Sequence, residues 1–238
     1  MSPRAQLTGA EAIANALDAG EPLRLLMVRD GALSPPARDV LARCKATGVP
    51  VRKAGEREMK RMAAVADAEV AALAGPPPDT DLPGLFEPGG AIWLLTGIAY
   101  PGNAGFAIRT AEVSGAAGIA IDATFDREGR RQALRASMRA DRLFPVLWEP
   151  SGEVLAHARA AGHRVVGIED RGKHAPWDVD LTGDVLLVVG GEAAGVAEPI
   201  LEGCDETVRI PMTGFMPSYN LQAAVAIVAG ERLRQLQV

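Results

Sequence analysis

The chain predicts an α/β fold built on a mainly parallel sheet. Three observations carry this expectation: short apolar or β-branched runs recur from residue 91 onward, they are too continuous to be half-exposed strands, and helical stretches separate most of them. The runs fall at 91–96, 118–121, 145–148, 164–168, 185–189 and 207–210. Between and after them, helical spacing predicts helices at 104–114 and 154–161 and a closing helix over 219–236. Sheets of this kind take ligands beyond the C-terminal ends of their strands.

The first third reads as a separate, smaller α/β module. Thr8 is placed to cap a helix whose apolar positions Ala12, Ile13, Ala16 and Leu17 recur at helical spacing, with Gly20 after its end. A buried strand at 23–28, a helix at 35–47 closed by Gly48, a short strand at 49–51 and a basic amphipathic helix at 56–66 follow. Residues 75–84 are rich in proline and glycine, which break helices and central strands alike. The expected organisation is therefore a small domain over 1–75, a linker over 76–89 with room for an edge strand, and a larger domain over 90–238.

Composition bounds the function. With 48% apolar and 23% charged residues in 238, the chain is globular, which excludes disordered, collagen-like and disulfide-scaffold classes. No apolar run approaches the ~20 residues of a membrane-spanning helix, and the first residues lack the apolar core of a secretory signal. Two cysteines far apart, Cys44 and Cys204, suit a reducing compartment, so a cytoplasmic protein is expected. His157, His163 and His174 have no ligand-like spacing, and no metal is expected.

A net charge of −5 argues against coating nucleic acid by bulk electrostatics. The distribution is less uniform: eight basic residues face three acidic ones over 38–61, and six arginines face two acids over 127–142, at spacings that put several on one helical face. Read alone, these are solvated surfaces.

Neither G-x-G-x-x-G nor G-x-x-x-x-G-K-[ST] occurs, so the standard dinucleotide and P-loop readings lose their support. Three other segments carry chemistry. After the 91–96 strand comes Pro101-Gly102-Asn103-Ala104-Gly105-Phe106-Ala107-Ile108-Arg109-Thr110-Ala111, in which Asn103 reads as a helix cap but Arg109, always charged, must find an anion or water. After the 185–189 strand comes Gly190-Gly191-Glu192-Ala193-Ala194-Gly195, where glycines permit close approach to backbone amides. The third is Ile210-Pro211-Met212 followed by Ser218-Tyr219-Asn220-Leu221 at the mouth of the last helix.

In this order, the three segments resemble the signature motifs of the SpoU/TrmH family in the SPOUT superfamily, the RNA ribose 2′-O-methyltransferases whose C-terminal part is threaded as a trefoil knot. Asn103 to Ala111 match N-x-G-x-x-x-R-T-A, Gly190 to Gly195 match G-x-E-x-x-G, Ile210 to Met212 match I-P-M, and Ser218 to Asn220 match S-x-N. The match covers residues 90–238. The first third resembles, more faintly, the family's small α/β/α substrate-binding domain. Departures are Tyr219, where the family usually has Leu, Leu221-Gln222 in place of Val-Ser, and Arg139 in place of a glycine.

The resemblance implies S-adenosylmethionine as cofactor, held against Gly190, Ile210 and Tyr219 with Gly191, Met212 and Leu221 close by. It implies Arg109 as the group acting on the 2′-hydroxyl. An arginine is a poor base, so stabilising the alkoxide and clamping a phosphate suit Arg109 better than proton abstraction. Asn103, Ser218 and Asn220 would hold Arg109 and the ribose, and Glu192 would orient the site. The partner implied is tRNA or rRNA, with Arg130, Arg131, Arg135, Arg139 and Arg142 as phosphate contacts and Lys53 and Arg57 in a second patch. Family members usually dimerise through the knotted domain; Ala223, Ala224, Ile227 and Val228 could supply an apolar face for that, or face the core. A non-catalytic RNA-binding module and an RNA base methyltransferase of the same superfamily stay open as alternatives.

Overall fold

The computed structural model describes residues 5–63, 65, 67–75, 78–216 and 218–237. The chain divides into a unit ending at residue 77 and a unit beginning at Pro78. The first contains β1 (Ala5–Thr8), α1 (Ala10–Asp18), β2 (Leu23–Arg29), α2 (Pro35–Ala46), β3 (Val51–Ala54), α3 (Glu56–Ala63) and β4 (Val70–Ala74). Its sheet has the order β1-β4-β2-β3, antiparallel except between β2 and β3.

Alternation along these strands explains the layering. Leu26, Val28, Val70 and Ala72 pack with Ile13 of α1 and with Ala37, Val40 and Cys44 of α2. The intervening Met27 and Ala71 pack with Met59 and Ala63 of α3 on the other face. The result is three layers, helix, sheet and helix.

Two readings of this unit are corrected. Thr8 ends β1 instead of capping α1: its hydroxyl donates to the Ala63 carbonyl (3.2 Å), and Gly9, at φ 90°, occupies the cap position without a side-chain bond. The additional strand is β4, and it lies inside the sheet before the proline-rich segment, paired on both sides, so it is no edge strand of a linker. The helix expected over 56–66 is α3, and residues 64 and 66 lie outside the described residues.

The second unit contains α4 (Leu82–Phe86), β5 (Ala91–Thr96), α5 (Pro101–Val113), β6 (Gly118–Asp122), α6 (Arg127–Ala136), β7 (Val146–Leu147), α7 (Ser151–Ala160), β8 (Arg164–Ile168), β9 (Val185–Gly190), α8 (Glu198–Leu201), β10 (Glu206–Val208) and α9 (Leu221–Gln235). Its six strands run in the order β10-β8-β9-β5-β6-β7, and every pairing is parallel.

Both faces of this sheet are covered, which is why its strands read as unbroken apolar runs. Trp93, Leu95, Ile119, Leu187 and Val189 pack under α5, α6 and α9, while Ile92, Leu94, Leu186 and Val188 pack under α4, α7 and α8. The segment expected as a linker is thus partly structured. Asp81 caps α4 by accepting from the Gly84 N–H (2.9 Å), Pro83 sits in the first turn where its missing N–H costs nothing, and Leu82, Leu85 and Phe86 are buried. Among the described residues no helix is long and apolar enough to cross a membrane.

Candidate active site

β5, β8 and β9 end on one edge of the sheet, and the loops leaving them form the site. β9 stops at Gly190, and Gly191 bridges back to Gly195, whose N–H donates to the Gly191 carbonyl (3.1 Å). A Cβ on Gly190 would collide with the backbone of Gly195 and Val196, and one on Gly191 with the Gly97 carbonyl in the loop after β5. Glycine is therefore required at both positions by direct backbone packing.

Glu192 then reaches across to α5. Its Oε1 accepts from Asn103 Nδ2 (2.6 Å) and its Oε2 from the Ala99 N–H (3.1 Å). Asn103 Oδ1 accepts in turn from Asn220 Nδ2 (3.4 Å), and Asn220 Oδ1 accepts the Gln222 N–H (3.0 Å), capping α9. This relay joins the three sequence segments across separations of 89 and 117 residues.

Beside the relay lies a cavity of about 640 Å³, lined by Gly190, Gly191, Glu192, Ile210, Met212, Ser218, Tyr219, Asn220 and Leu221. Leu221 is buried, and Tyr219, half-exposed, donates its hydroxyl to the Pro211 carbonyl (3.4 Å), bracing the loop that precedes α9. Pro217 lies outside the described residues.

Arg109 does not join them. It is exposed on α5, about 9 Å of helical rise beyond Asn103, and is not among the residues lining the cavity. Among the described residues its guanidinium makes no hydrogen bond or ion pair. A cavity residue that sequence reasoning missed is Glu169, just past β8. Its carboxylate accepts from the Val196 N–H and the Asp170 N–H (2.9 Å each), pinning the far end of the glycine loop. The rule that ligands gather at strand C-termini pointed to this position.

The arginine-rich stretch forms α6, capped by Asp126, which accepts from the Gly129 N–H (2.7 Å). Arg131 (3.2 Å) and Arg135 (2.7 Å) share Glu128, whose carboxyl is held below its usual range by the Arg135 hydrogen bond first and the Arg131 charge second. Arg139, left-handed at φ 61°, grips Asp141 through two hydrogen bonds (3.0 and 2.9 Å). Arg130 and Arg142 are exposed without a carboxylate partner among the described residues. Lys53 and Arg57 are exposed in the smaller unit. On α9, Val228 faces the core, Ala224 packs against it, and Ile227 is exposed. His163 is buried against Phe86, its ring edge-on at 5.0 Å. Among the described residues no group of three or more His, Cys, Asp or Glu is placed to hold a metal ion.

A parallel α/β sheet with a backbone-lined cavity where its strands end defines a small-ligand-binding α/β protein. The sequence profile of the SpoU rRNA Methylase family matches residues 91–230, the stretch that supplies the relay and the whole cavity lining, and the chain belongs to that family. It is 26% identical over 243 residues to the 23S rRNA (guanosine-2'-O-)-methyltransferase RlmB of Xanthomonas axonopodis pv. citri, an alignment covering 96% of each chain. Among solved structures it resembles an AdoMet-bound rRNA methyltransferase from Sinorhizobium meliloti, with a TM-score of 0.61 at 25% identity over 98% of this chain and 88% of that one. It also resembles the SpoU methyltransferase AviRb from Streptomyces viridochromogenes in complex with AdoMet, with a TM-score of 0.58 at 27% identity over 99% and 91%.

Proposed function

We propose that this protein methylates a ribose 2′-hydroxyl of ribosomal RNA, using S-adenosylmethionine. The observation that carries the reading is the relay from Ala99 through Glu192 and Asn103 to Asn220, which gathers three distant motifs at one cavity. The names of the similar proteins support the donor and the ribosomal substrate.

The cavity suits the donor. At about 640 Å³ it has the size of a small-molecule site, and its glycine floor, closed to any side chain, leaves main-chain groups free to meet a nucleoside. Gly190, Gly191, Ile210, Met212, Tyr219 and Leu221 would hold it. The bound donor supplies an electrophilic methyl group on a positively charged sulfur. The protein's task is then to hold the ribose and to stabilise charge on its oxygen. Ser218 and Asn220, both on the cavity wall, offer neutral hydrogen bonds to the sugar. Glu192 is occupied in holding Asn103 and the Ala99 amide, which makes it an orienting group.

Arg109 serves as alkoxide stabiliser and phosphate clamp in this reading, and a second copy brings it to a cavity. Phe106 and Val113 on α5 and Ile227 on α9 are large apolar side chains left exposed on two helices that pack against each other. They form the face through which we expect a homodimer, with Arg109 of one copy at the cavity mouth of the other.

The test is incubation of the purified protein with methyl-labelled S-adenosylmethionine and rRNA or tRNA from cells lacking it, followed by digestion to nucleosides. A 2′-O-methylated nucleoside from rRNA is expected. Label on a base makes the protein a base methyltransferase, label only in tRNA changes the substrate, and donor binding without transfer makes it a non-catalytic RNA-binding module. Arg109→Ala should abolish transfer while leaving donor affinity within a few-fold. Equal loss of both would make its role structural.

A further inference from the structure

The same edge of the sheet carries a second structure, past the ends of β6 and β7. Phe125 follows β6, and Trp148 follows β7 directly; their rings meet edge to face, 5.9 Å between centroids at 62°. The Arg130 guanidinium lies over the Trp148 ring, 5.1 Å from its centroid. A planar cation held over an indole is pre-organised, and its N–H groups remain available to an anion. Arg127, one turn before Arg130 on α6, is exposed beside it and pairs with no carboxylate among the described residues. Within residues 127–142 arginines outnumber acids by four, and the acids present, Glu128 and Asp141, are taken by Arg131, Arg135 and Arg139. Three of these four surplus charges therefore belong to Arg127, Arg130 and Arg142, and the fourth arises because Arg131 and Arg135 share one carboxylate. With β6 and β7 next in order after β5, this ledge begins about 5–10 Å from the strand whose loop meets Gly191.

We propose that the ledge holds the single-stranded RNA flanking the methylated nucleotide, with Arg127 on a phosphate and Arg130, backed by Trp148, clamping a neighbouring base or phosphate. The proposal rests on the RNA methyltransferase reading above. Charge surplus supplies sequence-independent attraction, and a guanidinium held beside aromatic rings supplies the platform that unpaired bases use.

The test is filter binding of the full-length protein to a single-stranded oligonucleotide from ribosomal RNA across a salt series, with calorimetric titration of S-adenosylmethionine as a control on the cavity. Arg127→Ala should flatten the slope of log affinity against log salt by about 0.7, the share of one phosphate contact on a single strand. Arg130→Lys, which keeps the charge and loses the plane, should weaken binding about two- to fivefold with the slope unchanged. Donor affinity should stay at the wild-type value in both. An unchanged slope in Arg127→Ala together with wild-type affinity in Arg130→Lys overturns the proposal, as do effects seen with duplex RNA alone. RNA binding needs no turnover. Wild-type protein that binds through the ledge yet transfers no methyl would sink the proposed activity and leave the ledge standing.

Discussion

Replacing Asn103 with Ala tests whether the hydrogen-bonded relay organises the cavity. The substitution removes the 2.6 Å bond to Glu192 Oε1 and the 3.4 Å bond from Asn220. A hydrogen bond to a charged group contributes about 1.5–3 kcal/mol when well shielded. Here Glu192 is exposed and Asn103 only partly buried, water substitutes in part, and about 1 kcal/mol is the reasonable share. The longer bond, at the edge of hydrogen-bond geometry, adds little. Glu192 belongs to the cavity wall, so loss of its anchor should weaken S-adenosylmethionine binding about fivefold, the equivalent of 1 kcal/mol. Glu192→Ala should cost more, because it also removes the 3.1 Å bond from the Ala99 N–H. Calorimetric titration of the wild type, both single variants and the double variant closes a thermodynamic cycle. If Asn103 acts through Glu192, the double variant binds the donor no more weakly than Glu192→Ala. A double variant weaker by the product of the two single effects would mean that the residues act independently and that the relay organises nothing.

Gly191→Ala places a methyl group against the Gly97 carbonyl, a backbone atom that cannot swing aside; donor affinity should fall at least about tenfold with a lowered Tm, and wild-type binding would refute the close-packing argument. Arg139→Gly relieves a left-handed residue at the loss of an exposed ion pair, and should raise the Tm by about 2–4 °C in differential scanning calorimetry; a fall would show that the Asp141 contact outweighs the backbone. Burial lowers the pKa of His163, an effect only partly opposed by the Asp184 charge, so the folded state binds its proton less readily than the unfolded chain. Its contribution to stability is complete above the unfolded value of about 6.5 and is lost as pH falls from there toward the folded value. Urea midpoints measured between pH 8 and pH 5 should drop on the acid side, and His163→Phe should reduce that drop; an identical profile in the variant would assign the acid sensitivity elsewhere.

What could be read in advance follows from which interactions are local. The strands at 91–96 and 185–189 announced a parallel sheet because side chains on both faces are buried, and burial leaves an apolar run in any frame of reading. β4, equally central in its sheet, reads Val-Ala-Ala-Leu-Ala, and alanine carries no strand signature; only its pairing with β1 and β2 makes it a strand. Pro83 and Gly84 mark α4 as a broken segment by local rules, yet Asp81 converts the same residues into a capped first turn once Leu85 and Phe86 have a core to enter.

The site divides along the same line. Glycines at 190 and 191 are legible as permissive positions, but the reason for them is the Gly195 and Gly97 backbone, which no spacing reveals. Glu192 was legible as a carboxylate near the cavity, whereas one of its two partners is the Ala99 amide, a group every residue but proline possesses. Tyr219 departs from the family's leucine, and the fold absorbs the departure by giving the phenol the Pro211 carbonyl, so the loop is braced by a hydrogen bond at a position where a leucine could only pack. Arg109 is the inverse case. Its place in the motif is unambiguous in sequence, while the helix that carries it leaves the guanidinium outside its own cavity. In the homodimer proposed above, the exposed Phe106 and Val113 stand on the same helix as Arg109 and would carry it to the partner's cavity. Phe106→Glu should therefore separate the copies and abolish methyl transfer together, with donor binding retained, as read by sedimentation and by labelled-methyl incorporation. A monomeric variant that still transferred methyl groups would place Arg109 back at its own chain's cavity.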